Sequence, residues 1–313
     1  MRFIEKEEVI ANLDYPSLVE ALKDAFINEI TVPNRLHFDF KNPKENIDST
    51  LLLMPAWQEG VSVGAKVLTV SPNNAKYDLP AINGIYILFD AHKGELQAII
   101  DGKPLTSKRT AAASALASSY LSKKDASSLL MIGTGALSSE LIKAHSCVRD
   151  LKEIYIWGRN KNKALKIAED LGSKYNVKVV ENIEDKFSEV DIVSCATLSA
   201  TPLIFGKDIK KGQHFDLIGA YKPDMREADD EFIKNVDIFI DTNMAKKETG
   251  EIKIPLDNKI IFEENIKADL FDLTRGIKSG RVDDYQITLF KSVGHGLEDL
   301  AAARLVYEKV TRS

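Results

Sequence analysis

Apolar and polar positions along the 313-residue chain follow two different rhythms. In the first third, "RLHFDF", "STLLLMPAW", "SVGAKVLTV", "AINGIYILFD" and "ELQAIID" alternate with turn signals at Asn42-Pro43, Glu59-Gly60 and Lys93-Gly94. Period-two alternation broken by such turns predicts a mainly antiparallel sheet. Ahead of it, "RFI" reads as a strand. Leu18, Val19, Leu22, Ala25, Phe26 and Ile30 then recur at helical spacing behind Asp14, a suitable cap, with Pro16 in the first turn.

From Leu105 the rhythm changes. "LTSKRTAAASALASSYLSKKD" is alanine-rich with helical period. Strand and helix patterns then alternate through "SSLLMIGTG", "ALSSELIKAHSCV", "EIYIWGR", "NKALKIAEDLGSKY", "VKVVE", "DIVSCATLS", "HFDLIGA" and "VDIFIDT". Such alternation predicts a parallel sheet with crossover helices. The tail "ITLFKSVGHGLEDLAAARLVYEKV" starts with a short apolar piece and ends in a helix, and periodicity leaves open which unit that helix joins.

Length and charge narrow the picture. Length divided by roughly 150 predicts two domains, and a chain this long buries about three quarters of its extended surface. The 47 acidic and 42 basic residues form no long block of one sign, so no nucleic-acid partner is expected. No apolar run reaches a membrane span, and the acidic opening "MRFIEKEEVIANL" lacks a signal-peptide core. A cytoplasmic protein is the expectation. Cys147 and Cys195 form no C-x-x-C pair and read as inert packing residues of a reducing compartment.

The stretch "LLMIGTGALSSELIKAH" carries the first chemical signal. Gly133 and Gly135 follow a strand pattern and open a helix, as in a turn that brings a pyrophosphate to helix-terminal N–H groups, with small Ser138 in the third position. Alone, this spacing equally suits a plain strand-to-helix turn. The next strand ends in Gly158, Arg159 and Asn160, where an NAD site usually places an acidic residue. An arginine and an asparagine suit a 2′-phosphate, so NADP(H) is favoured and NAD(H) remains possible. A solvated basic helix start is the alternative, since arginine also stacks on adenine.

Three cations stand in apolar or small-residue surroundings: Arg35 in "TVPNRLHF", Lys66 in "SVGAKVLTV" and Arg109 in "SKRTAAASALA". A buried charge is costly unless paired, and the partner is either a structural carboxylate or a substrate's. Lysine with a lowered pKa also serves as a general acid. The five histidines show no metal-ligand spacing, so no metal is expected. His295 reads as a hydrogen-bonded residue at a helix start, Asp191 and Asp216 as residues that cap or edge strands, and "EEN" at 263–265 as a solvated face.

The segments "VPNR", "MPAW", "VGAKVLTVSPNN", "LPAINGIYILFDAHKGELQAIIDG", "LTSKRTAAASALAS", "IGTGALS", "IWGR", "ATLSATPLI", "LIGAYKPDMREADD" and "GRVDDYQITLFKSVGHGLEDLAAA", in that order, resemble the ornithine cyclodeaminase and mu-crystallin family over nearly the whole chain. The resemblance implies an α/β protein. In it a Rossmann domain, residues 116–286, is inserted between the N-terminal part, 1–115, and the C-terminal helix, within 287–313, of an α+β substrate-binding and dimerisation domain. It implies a homodimer joined through the sheets of those substrate domains. It also implies that Arg35, Lys66 and Arg109 hold a substrate carboxylate, that Lys66 serves proton transfer, and that Met54 lines the pocket. Cofactor contacts are implied for Thr110, for Gly133, Thr134, Gly135, Ala136 and Leu137, for Gly158, Arg159 and Asn160, for Thr197, and for Ser292, Val293 and Gly294.

The family includes ornithine cyclodeaminases, alanine and other amino-acid dehydrogenases, cyclic ketimine reductases, opine-like synthases and ligand-binding crystallins. Where cyclodeaminases read "GGDCPGK", this chain reads "GAYKPDM", with Tyr221 in place of the aspartate. The expectation is therefore an NAD(P)H-dependent reductase of small cyclic imino acids. An amino-acid dehydrogenase, a cyclodeaminase and a non-enzymatic NADPH-binding protein are the alternatives.

Overall fold

The computed structural model describes residues 1–312, the Ser173 side chain excepted. The chain forms two compact units, Met1–Thr110 with the segment from His295 onward, and Ala111–Gly294.

The first unit holds a six-stranded sheet of β1 (Arg2–Ile4), β2 (Leu36–Phe40), β3 (Ser49–Gln58), β4 (Ser62–Val70), β5 (Ile82–Asp90) and β6 (Leu96–Asp101), in the order β1-β6-β5-β4-β3-β2. All neighbours are antiparallel except β1 and β6. Because side chains alternate between faces, Met54, Ala56, Lys66, Tyr86, Leu88, Ala98 and Ile100 share one buried face. The C-terminal helix Gly296–Arg312 packs on β3, β4 and β5 and against the helix Tyr15–Ile27, which buries Leu18, Val19, Leu22, Ala25 and Phe26. Asp14 caps that second helix by accepting from the Ser17 N–H at 2.9 Å.

The opposite face is apolar as well. Leu36, Leu53, Val67 and Ile85 stand in one register row across four strands, with Phe38 beside Leu51 in the next. Leu36, Phe38, Val63 and Ile85 are exposed there. Full burial of each such side chain is worth roughly 1.5–3 kcal/mol, so the face is a strong candidate for a protein contact.

The second unit is an all-parallel sheet of β7 (Ser128–Ile132), β8 (Glu153–Trp157), β9 (Val177–Val179), β10 (Ile192–Cys195), β11 (His214–Leu217), β12 (Asp237–Ile240), β13 (Ile266–Asp269) and β14 (Thr288–Lys291), ordered β13-β12-β14-β11-β10-β7-β8-β9. Its helices include Ser138–Val148, Lys161–Tyr175 and Gly250–Asp257. β7, β10, β11 and β14 are buried along their whole length, the mark of strands covered on both faces. Strand order reverses between β7 and β10, which opens a crevice beyond their carboxyl ends.

Two readings change. β14 pairs with β11 and β12, so residues 287–294 belong to the second unit, which also starts earlier, at Ala111. Asp216 is no edge residue: it lies inside β11, buried, and accepts from Ser194 Oγ at 2.8 Å with His145 Nε2 at 3.1 Å. His145 lies on the helix Ser138–Val148 and His214 on β11, where burial pushes the His214 imidazole down to about 3 and keeps it neutral. Asp191 does edge a strand, accepting from the Ser127 N–H at 2.9 Å and the Ser128 N–H at 3.2 Å. Among the described residues no helix is long and apolar enough to cross a membrane, and no cluster of three His, Cys, Asp or Glu residues has the arrangement to hold a metal.

Candidate active site

In the first unit β3, β4 and β5 bring Met54, Lys66 and Tyr86 into one register row on the buried face. Arg109 comes from the helix Gly102–Leu121, and the first turn of Gly296–Arg312 supplies Glu298 and Asp299. Lys66 Nζ donates to Asp299 Oδ2 at 2.8 Å, and Arg109 donates through Nε to Asp299 Oδ1 at 3.0 Å and through Nη1 to Glu298 Oε2 at 2.5 Å. Both carboxylates are fully buried and the two cations nearly so. Two of the three cations that stand out in the sequence, Lys66 and Arg109, are therefore already paired, and the charges of Lys66, Arg109, Glu298 and Asp299 sum to zero.

Burial pushes the Lys66 ammonium from its ordinary 10.5 down to about 8; the Asp299 charge opposes this, while Arg109 and Arg35 add to it. That last effect places Arg35 within electrostatic reach of Lys66. Burial also acts to raise the Asp299 carboxyl, but the charges of Arg109 and Lys66 and their hydrogen bonds outweigh it and hold the group below the usual carboxylate range. The Tyr86 hydroxyl is buried without a hydrogen-bond partner, and burial, helped by the Asp299 charge, drives its pKa well up. Thr110 is half-buried, one residue beyond Arg109. His295 stands at the helix start as expected, its carbonyl accepting from the Glu298 N–H at 3.1 Å.

In the second unit, Gly133 ends β7 with φ of +122°, a conformation that favours glycine, and a Cβ there would meet the Ala196 carbonyl at 2.8 Å. Gly135 and Ala136 are exposed beyond it, Thr134 and Leu137 half-buried. The helix Ser138–Val148 starts without a side-chain cap, which leaves first-turn N–H groups to an anion. At the end of β8, Arg159 is exposed beside Gly158. Asn160 caps the following helix by accepting from the Lys163 N–H at 3.2 Å, and Lys161 pairs with Glu181.

Two further loops at the carboxyl edge are tied down by buried carboxylates. Asp241 Oδ2 accepts from Ser292 Oγ at 2.9 Å, the Val293 N–H at 2.8 Å and the Gly294 N–H at 2.7 Å. Glu227 accepts from the N–H and Oγ1 of Thr197 at 2.7 and 2.9 Å, and from the Gly219 and Ala220 N–H groups at 2.8 and 3.1 Å. Glu227, Asp241, Glu298, Asp299 and Tyr86 escaped the sequence reading. For Glu298 and Asp299 a signal existed: they interrupt the apolar stripe of Leu297, Leu300 and Ala301.

A model of the ornithine cyclodeaminase/mu-crystallin family matches residues 2–313. The chain belongs to that family. It is 37% identical over 315 residues to a delta(1)-pyrroline-2-carboxylate reductase of Colwellia psychrerythraea, an alignment covering 99% of each protein. Among solved structures it is similar to the Thermococcus litoralis delta(1)-pyrroline-2-carboxylate reductase in complex with NADH and L-proline, with a TM-score of 0.92, 30% identity and coverage of 100% of this chain and 98% of that one. An archaeal alanine dehydrogenase dimer with bound NAD gives a TM-score of 0.90 at 27% identity, covering 99% of this chain and 96% of that one.

Proposed function

We propose that this protein is an NAD(P)H-dependent reductase of small cyclic imino acids, taking delta1-pyrroline-2-carboxylate or delta1-piperideine-2-carboxylate to L-proline or L-pipecolate. Lys66 carries the reading. It is a buried lysine with one of its three donor protons given to Asp299, with a pKa near 8, in a chain 37% identical to a named reductase of that class. A group that titrates near the working pH is suited to proton transfer.

In this reading Arg35, Lys66 and Arg109 orient the substrate carboxylate, and Met54 supplies apolar wall. Because Arg109 and Lys66 are held by Glu298 and Asp299, their placement is preorganised and no side-chain ordering remains to oppose binding. Lys66 is then the proton donor to the imine nitrogen, directly or through water. The nicotinamide supplies the hydride that reduces the C=N carbon.

The second unit's carboxyl edge fits a dinucleotide: the tight Gly133 turn, the uncapped helix start and the exposed Arg159 guanidinium are its components. We assign the pyrophosphate to the turn from Gly133 to Leu137, and the adenosine side to Gly158 and Arg159. Thr110, Thr197 and Ser292 to Gly294 take the remainder. Arg159 favours NADP(H), whereas the solved relatives carry NADH or NAD; Asn160, spent as a helix cap, contributes less than its position suggested. A homodimer through the exposed sheet face is part of the same proposal, and one solved relative is described as a dimer.

Initial rates decide it, with NADPH and NADH each offered pyrroline-2-carboxylate, piperideine-2-carboxylate, and pyruvate with ammonia. Turnover of a cyclic ketimine supports the reading. Turnover of pyruvate with ammonia alone makes the protein an alanine dehydrogenase, and dinucleotide binding without any turnover makes it a binding protein.

A further inference from the structure

The ladder between β10 and β11 ends at Cys195 and Leu217, with a last bond from the Ile218 N–H to the Cys195 carbonyl at 3.0 Å. Beyond that point Glu227 takes over. Its four accepted hydrogen bonds all come from the two loops that continue these strands: two from Thr197, one each from Gly219 and Ala220. The loops are in backbone contact, since a Cβ on Gly219 would lie 2.0 Å from the Thr197 carbonyl oxygen and 2.1 Å from its nitrogen.

The backbone that carries this carboxylate is itself held. Glu251 accepts from the Glu227 N–H at 2.8 Å and the Ala228 N–H at 2.8 Å. Lys291 Nζ, buried, lies 3.8 Å from Glu227 and 3.6 Å from Glu251. Burial raises the Glu251 carboxyl above the usual carboxylate range; the Lys291 charge opposes this and the Glu227 charge adds to it. Lys291 directly precedes the Ser292–Gly294 segment that Asp241 pins.

Position in the sheet says which part of a ligand these loops meet. Gly133 and Arg159 follow β7 and β8 on one side of the reversal in strand order, and Thr197 and Gly219 follow β10 and β11 on the other. A dinucleotide whose pyrophosphate sits at the β7 turn and whose adenosine lies toward β8 extends its other half over β10 and β11.

We propose that Glu227 is a positioning residue for the nicotinamide half of the dinucleotide, acting through Thr197 and the Gly219–Ala220 turn. The proposal rests on the reductase reading above. The strands pair without this carboxylate, so its loss frees the loops and not the sheet.

The test compares whole and half ligands on the full-length protein. Glu227→Gln is titrated with NADPH and with 2′,5′-ADP, or with NADH and 5′-ADP if the wild type prefers them. The expected result is a Kd for the dinucleotide raised about tenfold or more, with the adenosine fragment bound within about twofold of wild type. No change in either, or equal weakening of both, overturns the proposal, because a general loss of structure weakens both alike. If Glu227→Gln fails to fold, Thr197→Val, which removes one of the four bonds, is put through the same titrations. It is expected to weaken the dinucleotide about threefold with the fragment unaffected, and the same two outcomes overturn the proposal. A wild type that binds neither dinucleotide overturns the reductase reading first and this inference with it.

Discussion

Lys66 and Asp299, 233 positions apart in the chain, share a 2.8 Å hydrogen bond inside the first unit. The second oxygen of the same carboxylate takes Arg109 at 3.0 Å, so one side chain of the C-terminal helix fixes two cations from two other elements. This arrangement dictates the pH behaviour of the proposed reaction.

Lys66 is protonated below about pH 8, so kcat/KM for the imino acid is expected to fall as pH rises through that value. The Asp299 charge holds the Lys66 pKa up against burial, and Asp299→Asn therefore moves the basic limb to lower pH. A pH–rate profile of both proteins checks the direction. A limb that stays put in Asp299→Asn removes Lys66 as the titrating group.

Lys66→Met is expected to lower turnover about 10²- to 10⁴-fold, the usual worth of a positioned acid, with NADPH affinity near normal. Stopped-flow single turnovers at saturating substrate measure the chemical step. Full turnover in the variant would leave Lys66 as an anchor only.

Arg159 is exposed at the end of β8. Replacing it with aspartate is expected to raise the KM for NADPH much more than that for NADH. Equal changes for the two cofactors would end the case for a 2′-phosphate contact.

Asp14 caps the helix Tyr15–Ile27 and meets Lys309 of the C-terminal helix. Burial acts to raise its pKa, but hydrogen bonds from Lys309 and Ser17 dominate and bring it to about 2 from 3.8. The bonds contribute stability above pH 3.8 that is lost as pH falls toward 2. Asp14→Ala is expected to cost about 1 kcal/mol at neutral pH, read by urea denaturation, with a smaller difference in acid.

Phe38 stands on the exposed sheet face. If that face joins two copies, Phe38→Glu puts a charge into an apolar contact, and sedimentation equilibrium is expected to report a monomer. A wild type already monomeric at micromolar concentration would count against the contact.

The alternation in "SVGAKVLTV" survives intact as β4, with Lys66 facing in and Val63 exposed on the far side. The glycine turn after "SLLMI" lies where the spacing places it, because tight turns are local and their residue demands are strict. What stayed hidden was non-local. "ITLFK" is too short to declare its sheet, and β14 is assigned only by parallel pairing with strands far earlier in the chain. Glu227 was equally opaque: in "MREADD" it reads as a surface residue until the Thr197 loop, 30 positions earlier, is brought to it. A paired buried carboxylate and a solvated one look the same in a string of letters.

Because Arg109 waits 190 positions for Asp299, the order of synthesis matters. At about 5–20 residues per second a ribosome needs roughly ten to forty seconds to deliver that partner. Throughout that interval Lys66 on β4 and Arg109 on the helix Gly102–Leu121 have no counter-charge from the C-terminal helix, while the intervening Rossmann unit is free to form. Asp299 therefore reaches Lys66 and Arg109 only after the whole intervening unit has been synthesised.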